Sequence, residues 1–190
     1  VKSPNPESAA AFDLAEQLAK KVEADILLGT DPDADRLGAK VRTSKGDYQL
    51  LTGNQIASLM LDYILNAKLE LNQLPKNGVA VKSIVSTNFA DAILSHYGLE
   101  AVEVLTGFKF IAEKIQEDEE TGSKTFLMGF EESYGYLVGT HARDKDAIVA
   151  TMLCVEMASY YAAKGMDLYE AMDALYQRYG YYLNGVLNAS

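Results

Sequence analysis

The sequence is poor in the residues that several common kinds of site require. Its single cysteine, Cys154, excludes an internal disulfide and favours a reducing, cytoplasmic environment. Its two histidines, His96 and His141, argue against a histidine-rich metal site. Only 17 basic residues stand against 27 acidic ones, so we expect no surface for nucleic acid or an anionic membrane. No apolar run approaches the ~20 residues that span a bilayer.

The remaining composition is that of an ordinary globular protein. The chain has 190 residues, of which 48% are hydrophobic and 23% charged, which fits one domain or one domain plus part of another. It begins with Val1 rather than Met and carries no signal peptide. We therefore expect a piece of a longer protein.

Helical and strand-like patterns alternate along the chain. This alternation predicts an α/β fold with a mixed sheet and helical cover. The predicted strands are 26–28, 37–42, 48–51, 79–85, 101–105 and 125–128. The later predicted helices cover the stripe from 56 to 67, then 88–97, 108–116, 146–163 and 168–178.

The first helix is predicted to start at Asn5-Pro6-Glu7, with Asn as the cap and Pro in the first turn. Apolar residues then recur with the spacing of one buried helical face. They are Ala11, Leu14, Ala15, Leu18, Ala19 and Val22.

Three carboxylates alternate in the segment Asp31 to Arg36, which we call the carboxylate loop. Asp31, Asp33 and Asp35 follow a predicted strand and can converge on one Mg²⁺ ion, which prefers oxygen ligands. An EF-hand is excluded because Arg36 stands where that loop requires Gly. A solvated acidic turn is the plain alternative. Arg36 is suited to gripping a phosphate oxygen, and a metal beside such an Arg is typical of phosphoryl transfer.

A second motif runs from Gly129 to Gly135, and we call it the Glu-Glu-Ser loop. It follows a predicted strand, at the sheet edge where open α/β proteins bind ligands. Glu131 and Ser133 can point the same way and bind adjacent hydroxyls of a sugar. An ordinary surface loop would have a similar composition, so the motif is weak evidence alone.

Two further segments have both a functional and a structural interpretation. Thr106-Gly107-Phe108-Lys109 forms a strand-to-helix turn whose N–H groups can meet an anion, or a turn that merely needs Gly107. In the segment His141 to Asp146, Arg143 and Lys145 can lie near a transferring phosphate. The alternative is that an Asp of this segment only caps the following helix.

In this order, the motifs resemble the α-D-phosphohexomutase superfamily, the phosphoglucomutase and phosphomannomutase enzymes. The resemblance runs from Ser3-Pro4-Asn5-Pro6-Glu7 through all four motifs and covers nearly the whole chain. Such enzymes have four domains around a cleft. The likeness implies that residues 1–42 form the later part of the metal-binding domain 2, 43–164 the sugar-binding domain 3, and 165–190 a connection toward domain 4. The nucleophile segment of domain 1 and the phosphate loop of domain 4 have no counterpart.

The resemblance implies a mechanism for an intact parent enzyme. A phosphoserine donates its phosphoryl group to a hexose phosphate, giving glucose 1,6-bisphosphate as the activating intermediate, which then returns its other phosphate. By this likeness one Mg²⁺ binds Asp31, Asp33 and Asp35. Arg36 and Lys145 act as catalytic residues at the transferring phosphate, and the substrate is held by further residues. Those residues are Thr106, Gly107, Glu131, Ser133 and Arg143.

Two other classes stay open from the sequence. One is a Mg²⁺-dependent phosphatase with an Asp nucleophile, and the other is a non-catalytic module that binds a divalent metal. Within the mutase interpretation, phosphomannomutase specificity is the alternative, although the doubled Glu followed by Ser and an aromatic resembles the glucose-type branch. We expect the chain alone to be inactive, because it lacks the nucleophile segment.

Overall fold

The computed structural model describes residues 3–185 and contains two separate sheets. One sheet has three antiparallel strands, and the other has four strands of mixed direction. Helices pack on both, so the predicted α/β class with a mixed sheet and helical cover is confirmed. Within the described range, no helix combines the length and the apolar character needed to cross a bilayer.

The first sheet contains β1 (Ile26–Thr30), β2 (Leu37–Arg42) and β3 (Tyr48–Leu50), in that order. A short 3₁₀ helix (Ala9–Phe12) and α1 (Asp13–Val22) precede it. β1 and β2 pair along their full length, so the carboxylate loop connects two neighbouring strand ends.

The first helix begins later than predicted. The Oδ1 atom of Asn5 accepts a hydrogen bond from the N–H of Glu7 at 3.1 Å, and its carbonyl accepts one from Ser8 at 3.0 Å. These bonds close a turn, so the cap-like residues Asn5 and Pro6 belong to that turn and α1 begins only at Asp13.

The predicted buried face of α1 is confirmed at Ala19 and wrong at its large apolar residues. Leu14, Leu18 and Val22 are 68%, 61% and 63% exposed, and Ala19 is the buried residue of the helix. The reason is that α1 contacts β1 through a small apolar cluster around Ala19 and Phe12. Periodicity identified the helix, but it did not identify which side the sheet covers.

The second sheet contains β4 (Gly78–Ser83), β5 (Glu100–Val104), β6 (Thr125–Glu131) and β7 (Gly135–Leu137). Its strand order is β5-β4-β6-β7, with β4 parallel to both neighbours and β7 antiparallel to β6. The carboxyl ends of the three parallel strands therefore meet at one edge.

Four of the later helices pack on this sheet, and one of them, α2 (Gly53–Glu70), lies at the centre of the main core. Ten residues of α2 from Ile56 to Leu65 are all buried, because it packs against β6 and against three other helices. The later helices are α2 (Gly53–Glu70), α3 (Phe89–His96), α4 (Phe108–Thr121), α5 (Ala147–Ala163) and α6 (Leu168–Tyr179).

Two boundaries near the motifs differ from prediction. β6 continues to Glu131 because it pairs with β7, a strand that was not predicted, so the loop between them is short. α4 continues to Thr121, five residues past its predicted end at 116, through an acidic stretch. Side-chain pairs one turn apart support that helix, including Lys114 with Glu117 at 2.6 Å.

The two sheets meet where the carboxylate loop touches the Glu-Glu-Ser loop. Arg36 forms an isolated antiparallel bridge with Gly135. The N–H of Leu37 donates to the carbonyl of Tyr134 at 3.0 Å. The N–H of Ala147, the first residue of α5, donates to the carbonyl of Ala34 at 3.2 Å. Main-chain bonds thus hold both loops and the start of α5 together.

Candidate functional site

The carboxylate loop folds around the side chain of Asp31. Its buried Oδ1 atom accepts hydrogen bonds from the N–H groups of Asp35 and Arg36, at 3.2 and 3.1 Å. Ala34 has a φ of +58°, which allows the loop to reverse within a few residues. The loop therefore holds its carboxylates in a defined arrangement before any ligand is present.

The three aspartates fit a hard divalent cation. One carboxylate oxygen from each of Asp31, Asp33 and Asp35 lies within 4.8 Å of the others. The buried Oδ1 atom of Asp35 accepts no hydrogen bond from any residue that the structure describes. An orphaned carboxylate oxygen in a set of oxygen donors is what Mg²⁺ ligation would satisfy.

Arg36 binds carboxylates on two sides. Its Nε atom lies 2.7 Å from Oδ2 of Asp31, and its Nη1 atom lies 3.0 Å from Oε1 of Glu7. Burial alone would raise the pKa of Asp31, but the backbone and guanidinium hydrogen bonds of Arg36 outweigh it. Together with Asp35 and the charge of Arg36 they lower the pKa of Asp31 to about 2. Asp31 is therefore an anion at neutral pH.

Lys145 reaches the carboxylate loop from the other side. Its Nζ atom lies 3.0 Å from Oδ2 of Asp35 and 3.2 Å from Oδ1 of Asp144. Burial raises the pKa of Asp35, and the hydrogen bond and charge of Lys145 oppose that rise while the anionic Asp31 adds to it. The lysine stem passes over Gly135, where a Cβ atom would lie 2.3 Å from its Cδ atom. Glycine is needed there for this close approach.

Glu131 and Gly107 are brought together at the edge of the second sheet. Glu131 is the last residue of β6 and is buried, and its Oε1 atom accepts a 2.8 Å hydrogen bond from the N–H of Gly107. Gly107 has a φ of +119° and immediately precedes α4. Thr106 is exposed beside it, and Ser133 is partly exposed in the turn after Glu131.

Arg143 is not brought into this group of contacts. Its guanidinium pairs with Glu119 near the end of α4 and donates to the carbonyl of Thr140 at 2.7 Å. Asp146 has the capping role that was the alternative for this segment. Its Oδ1 atom accepts hydrogen bonds from the N–H groups of Ile148 and Val149, at 2.9 and 3.0 Å. The role of Arg143 in ligand binding stays a prediction.

Sequence reasoning missed two groups of residues at the site. Glu7 was assigned to a helix start, whereas its carboxylate pairs with Arg36. Glu132 was treated as part of the loop only, whereas its Oε2 atom accepts hydrogen bonds from Ser83 and Ser86. The available signal was the pair of serines just where β4 ends, at the same edge as the other motifs.

Comparison with protein families gives two matches along the chain. Residues 52–179 match the model for phosphoglucomutase/phosphomannomutase, alpha/beta/alpha domain III. Residues 1–45 match the model for alpha/beta/alpha domain II of the same enzymes.

Curated relatives agree with these matches. A phosphoglucomutase of Staphylococcus haemolyticus (strain JCSC1435) is 38% identical over 182 residues, and one of Staphylococcus aureus (strain USA300) is 39% identical over 180. These alignments cover 96% and 95% of the chain, but 32% of each relative. The chain therefore spans about a third of the length of the curated relatives it matches.

Solved structures share the fold. A protein of Thermus thermophilus, provisionally described as a phosphomannomutase, has a TM-score of 0.70 at 24% identity, over 93% of this chain and 36% of its own. An Aspergillus fumigatus N-acetylphosphoglucosamine mutase was solved with GlcNAc-6P and magnesium (TM-score 0.57, 18% identity, 84% and 36% covered). A variant was solved with glucose 1,6-bisphosphate (TM-score 0.56, 18% identity, 83% and 35% covered).

Proposed function

Because the chain belongs to the phosphoglucomutase/phosphomannomutase family, we propose that it supplies the metal-binding and sugar-binding parts of a hexose phosphate mutase. The whole enzyme would interconvert hexose 1-phosphate and hexose 6-phosphate through a phosphoserine and a 1,6-bisphosphate. The observation that carries this proposal is the joining of two loops. The carboxylate loop is bridged to the Glu-Glu-Ser loop by Arg36 and Gly135, and Lys145 pairs with Asp35 across them.

Three carboxylates support the metal part of the proposal. Asp31, Asp33 and Asp35 would hold one Mg²⁺ ion, and the magnesium complex of a mutase with this fold supports that choice of cation. When bound, the ion supplies positive charge that stabilises a phosphoryl group in transfer. Arg36 would bind the substrate or its phosphate, and Lys145 would stabilise the charge that develops there or accept a proton.

The Glu-Glu-Ser loop supports the sugar part. Glu131 and Ser133 would bind two adjacent sugar hydroxyls, with Thr106 and Gly107 contributing contacts from the neighbouring turn. The contact between Gly107 and Glu131 supports this, because it already places both segments at one edge. Two curated phosphoglucomutases at 38% and 39% identity support glucose phosphates as substrates. The glucose 1,6-bisphosphate complex of a mutase with this fold supports that compound as the intermediate.

The domain division and the cytoplasmic location remain proposals from the sequence. We propose that 1–42 belong to the metal-binding domain, 43–164 to the sugar-binding domain and 165–190 to a connection toward a further domain. The family models end at 45 and 179, and α6 packs against α2 and α3. The phosphoserine and a further phosphate-binding loop would come from parts of the enzyme that this sequence does not include.

An NMR titration of this chain tests the proposed function. With Mg²⁺ present, glucose 1,6-bisphosphate should shift the amides of Glu131, Ser133 and Lys145, and Mg²⁺ alone should shift those of Asp31 to Asp35. A Glu131→Gln/Ser133→Ala variant serves as the matched control and should lose the sugar response but keep the Mg²⁺ response. Shifts with Mg²⁺ but none with the bisphosphate would contradict a sugar site and favour a metal-binding module. Mannose 1,6-bisphosphate in the same assay compares the two hexoses.

A further inference from the structure

The second glutamate of the Glu-Glu-Ser loop is held by two buried serines. The Oε2 atom of Glu132 accepts from the hydroxyl of Ser83 at 2.9 Å and from that of Ser86 at 3.4 Å. The two hydroxyl oxygens lie 2.8 Å apart, and both serines are buried. The two adjacent carboxylates of the loop thus contact different segments. Glu131 contacts the turn before α4, and Glu132 contacts the end of β4.

The backbone of the same loop is tightly enclosed. A Cβ atom on Gly53, the first residue of α2, would lie 2.1 Å from the carbonyl oxygen of Glu132, so the loop lies directly against that helix. The hydroxyl of Tyr134 donates to the carbonyl of Leu51 at 3.2 Å. Tyr134 also has a φ of +68°, a conformation that a bulky residue adopts only when its surroundings enforce it.

We propose that Glu132 is a positioning residue: its carboxylate fastens the Glu-Glu-Ser loop to Ser83 and Ser86, and so fixes Glu131 and Ser133 for hexose binding. This inference rests on the proposed function. The physical reason is preorganisation, since a loop that is ordered before binding loses less conformational entropy when the sugar arrives. The same fastening would help to keep Tyr134 at its positive φ, together with the hydrogen bonds that join Tyr134 to Leu51 and Leu37.

Two substitutions separate positioning from a role of the charge itself. Glu132→Gln keeps an oxygen that can accept from both serine hydroxyls, whereas Glu132→Met removes the acceptor at similar length. We expect the Gln variant to bind glucose 1,6-bisphosphate within about threefold of the wild type, and the Met variant to bind at least about tenfold more weakly. The Ser83→Ala/Ser86→Ala variant should resemble the Met variant. Glu100→Gln and Glu100→Met, at an exposed position paired with Lys124, are the matched controls and should bind normally.

Amide hydrogen exchange without ligand measures how well the Glu-Glu-Ser loop is ordered before binding. The amides of Ser133, Tyr134 and Gly135 should exchange at least about tenfold faster in Glu132→Met than in the wild type, and near the wild-type rate in Glu132→Gln. Equal losses in both variants would show that the charge is what matters and would overturn the proposal. Unchanged exchange and affinity in Glu132→Met would overturn it as well. Failure of the wild type to bind the bisphosphate would instead overturn the proposed function, while the exchange rates still decide whether Glu132 orders the loop.

Discussion

The Nζ atom of Lys145 lies 3.0 Å from Oδ2 of Asp35, and this ion pair connects the residue just before the cap of α5 to the carboxylate loop. The other oxygen of Asp35, Oδ1, is buried without a hydrogen-bond donor among the described residues, and the nearest cation is Arg36, whose Nε atom lies 3.9 Å away. The pair of Lys145 and Asp35 is partly buried, so solvent screens it less than a surface ion pair. The charge of Asp35 is therefore balanced by a lysine from the segment between β7 and α5.

Removing the lysine should change how Asp35 titrates. In Lys145→Met the pKa of Asp35 should rise, because burial and the anionic Asp31 are then opposed only by the more distant Arg36, whose Nε atom lies 3.9 Å from Oδ1. Carboxyl ¹³C NMR titration in the absence of metal measures this. Lys164→Met, which removes an exposed lysine at the far end of α5, should leave the pKa of Asp35 unchanged. If the pKa of Asp35 is the same in Lys145→Met as in the wild type, the ion pair is contradicted.

Mg²⁺ affinity should depend on the aspartates of the carboxylate loop. Asp33→Asn and Asp35→Asn should each weaken Mg²⁺ binding by about tenfold or more, since each replaces an anionic oxygen donor with a neutral one. Calorimetric titration gives the affinities. The melting temperature should rise with Mg²⁺ in the wild type, and this rise should vanish with a chelator. Asp173→Asn on the exposed side of α6 should retain full affinity, and an equal loss there would mean that binding is nonspecific.

A methyl group at position 135 should destabilise the site. Gly135→Ala would place its Cβ atom 2.3 Å from Cδ of Lys145, so the lysine stem or β7 must move. We expect the free energy of unfolding to fall by about 1–3 kcal/mol, as in other overpacked sites. Urea denaturation measures it. Gly185→Ala, where no atom lies within 4 Å, should be neutral, and equal stability of both variants would refute this close approach.

Acid should weaken the cap of α5. The hydrogen bond with His141 lowers the pKa of Asp146, burial opposes it, and the N–H groups of Val149 and Ile148 lower it further. A carboxyl whose pKa is lowered by folding stabilises the protein above its unfolded value of about 3.9, and this stabilisation disappears as pH falls through the folded value. Urea denaturation between about pH 6 and pH 3 should therefore show a steeper loss for the wild type than for Asp146→Asn.

The control for that experiment separates the cap from the charge. Asn is itself a good N-cap, so Asp146→Asn should cost little at neutral pH, while Asp146→Ala should cost about 1 kcal/mol. Parallel pH profiles for the wild type and Asp146→Asn would mean that this carboxyl does not contribute to the pH dependence.

Local features of the site were predictable from the sequence, and contacts between distant segments were not. The alternation of Asp31, Asp33 and Asp35 after a short strand predicted three converging carboxylates, and the structure brings them together. In contrast, the pairing of Glu7 with Arg36 joins residues from different elements, and no local pattern encodes it. The serines that hold Glu132 became meaningful only when the strand order placed β4 beside β6.

In the fold as well, local features were predictable from the sequence and features that depend on distant contacts were not. Periodicity predicted α1, but its exposed Leu18 shows that spacing does not reveal which side of a helix a sheet covers. The strand β7 has only three residues, too few for an alternating pattern, and it exists because β6 pairs with it. The α4 helix extends five residues beyond its predicted end at 116, and Gly122, with a φ of +63°, closes it.

The bridge between Arg36 and Gly135 joins the loop that would bind the metal to the loop that would bind the sugar, so binding at one loop can affect the affinity at the other. If a cation at the carboxylate loop favours the bridged arrangement, it must raise the affinity for sugar at the other loop, and the sugar must raise the affinity for the cation by the same factor. The bond from Leu37 to Tyr134 joins main-chain atoms, so side-chain substitutions do not remove it. Cooperativity between metal and sugar would therefore be a property of the backbone, which changes of substrate specificity at either loop would leave in place.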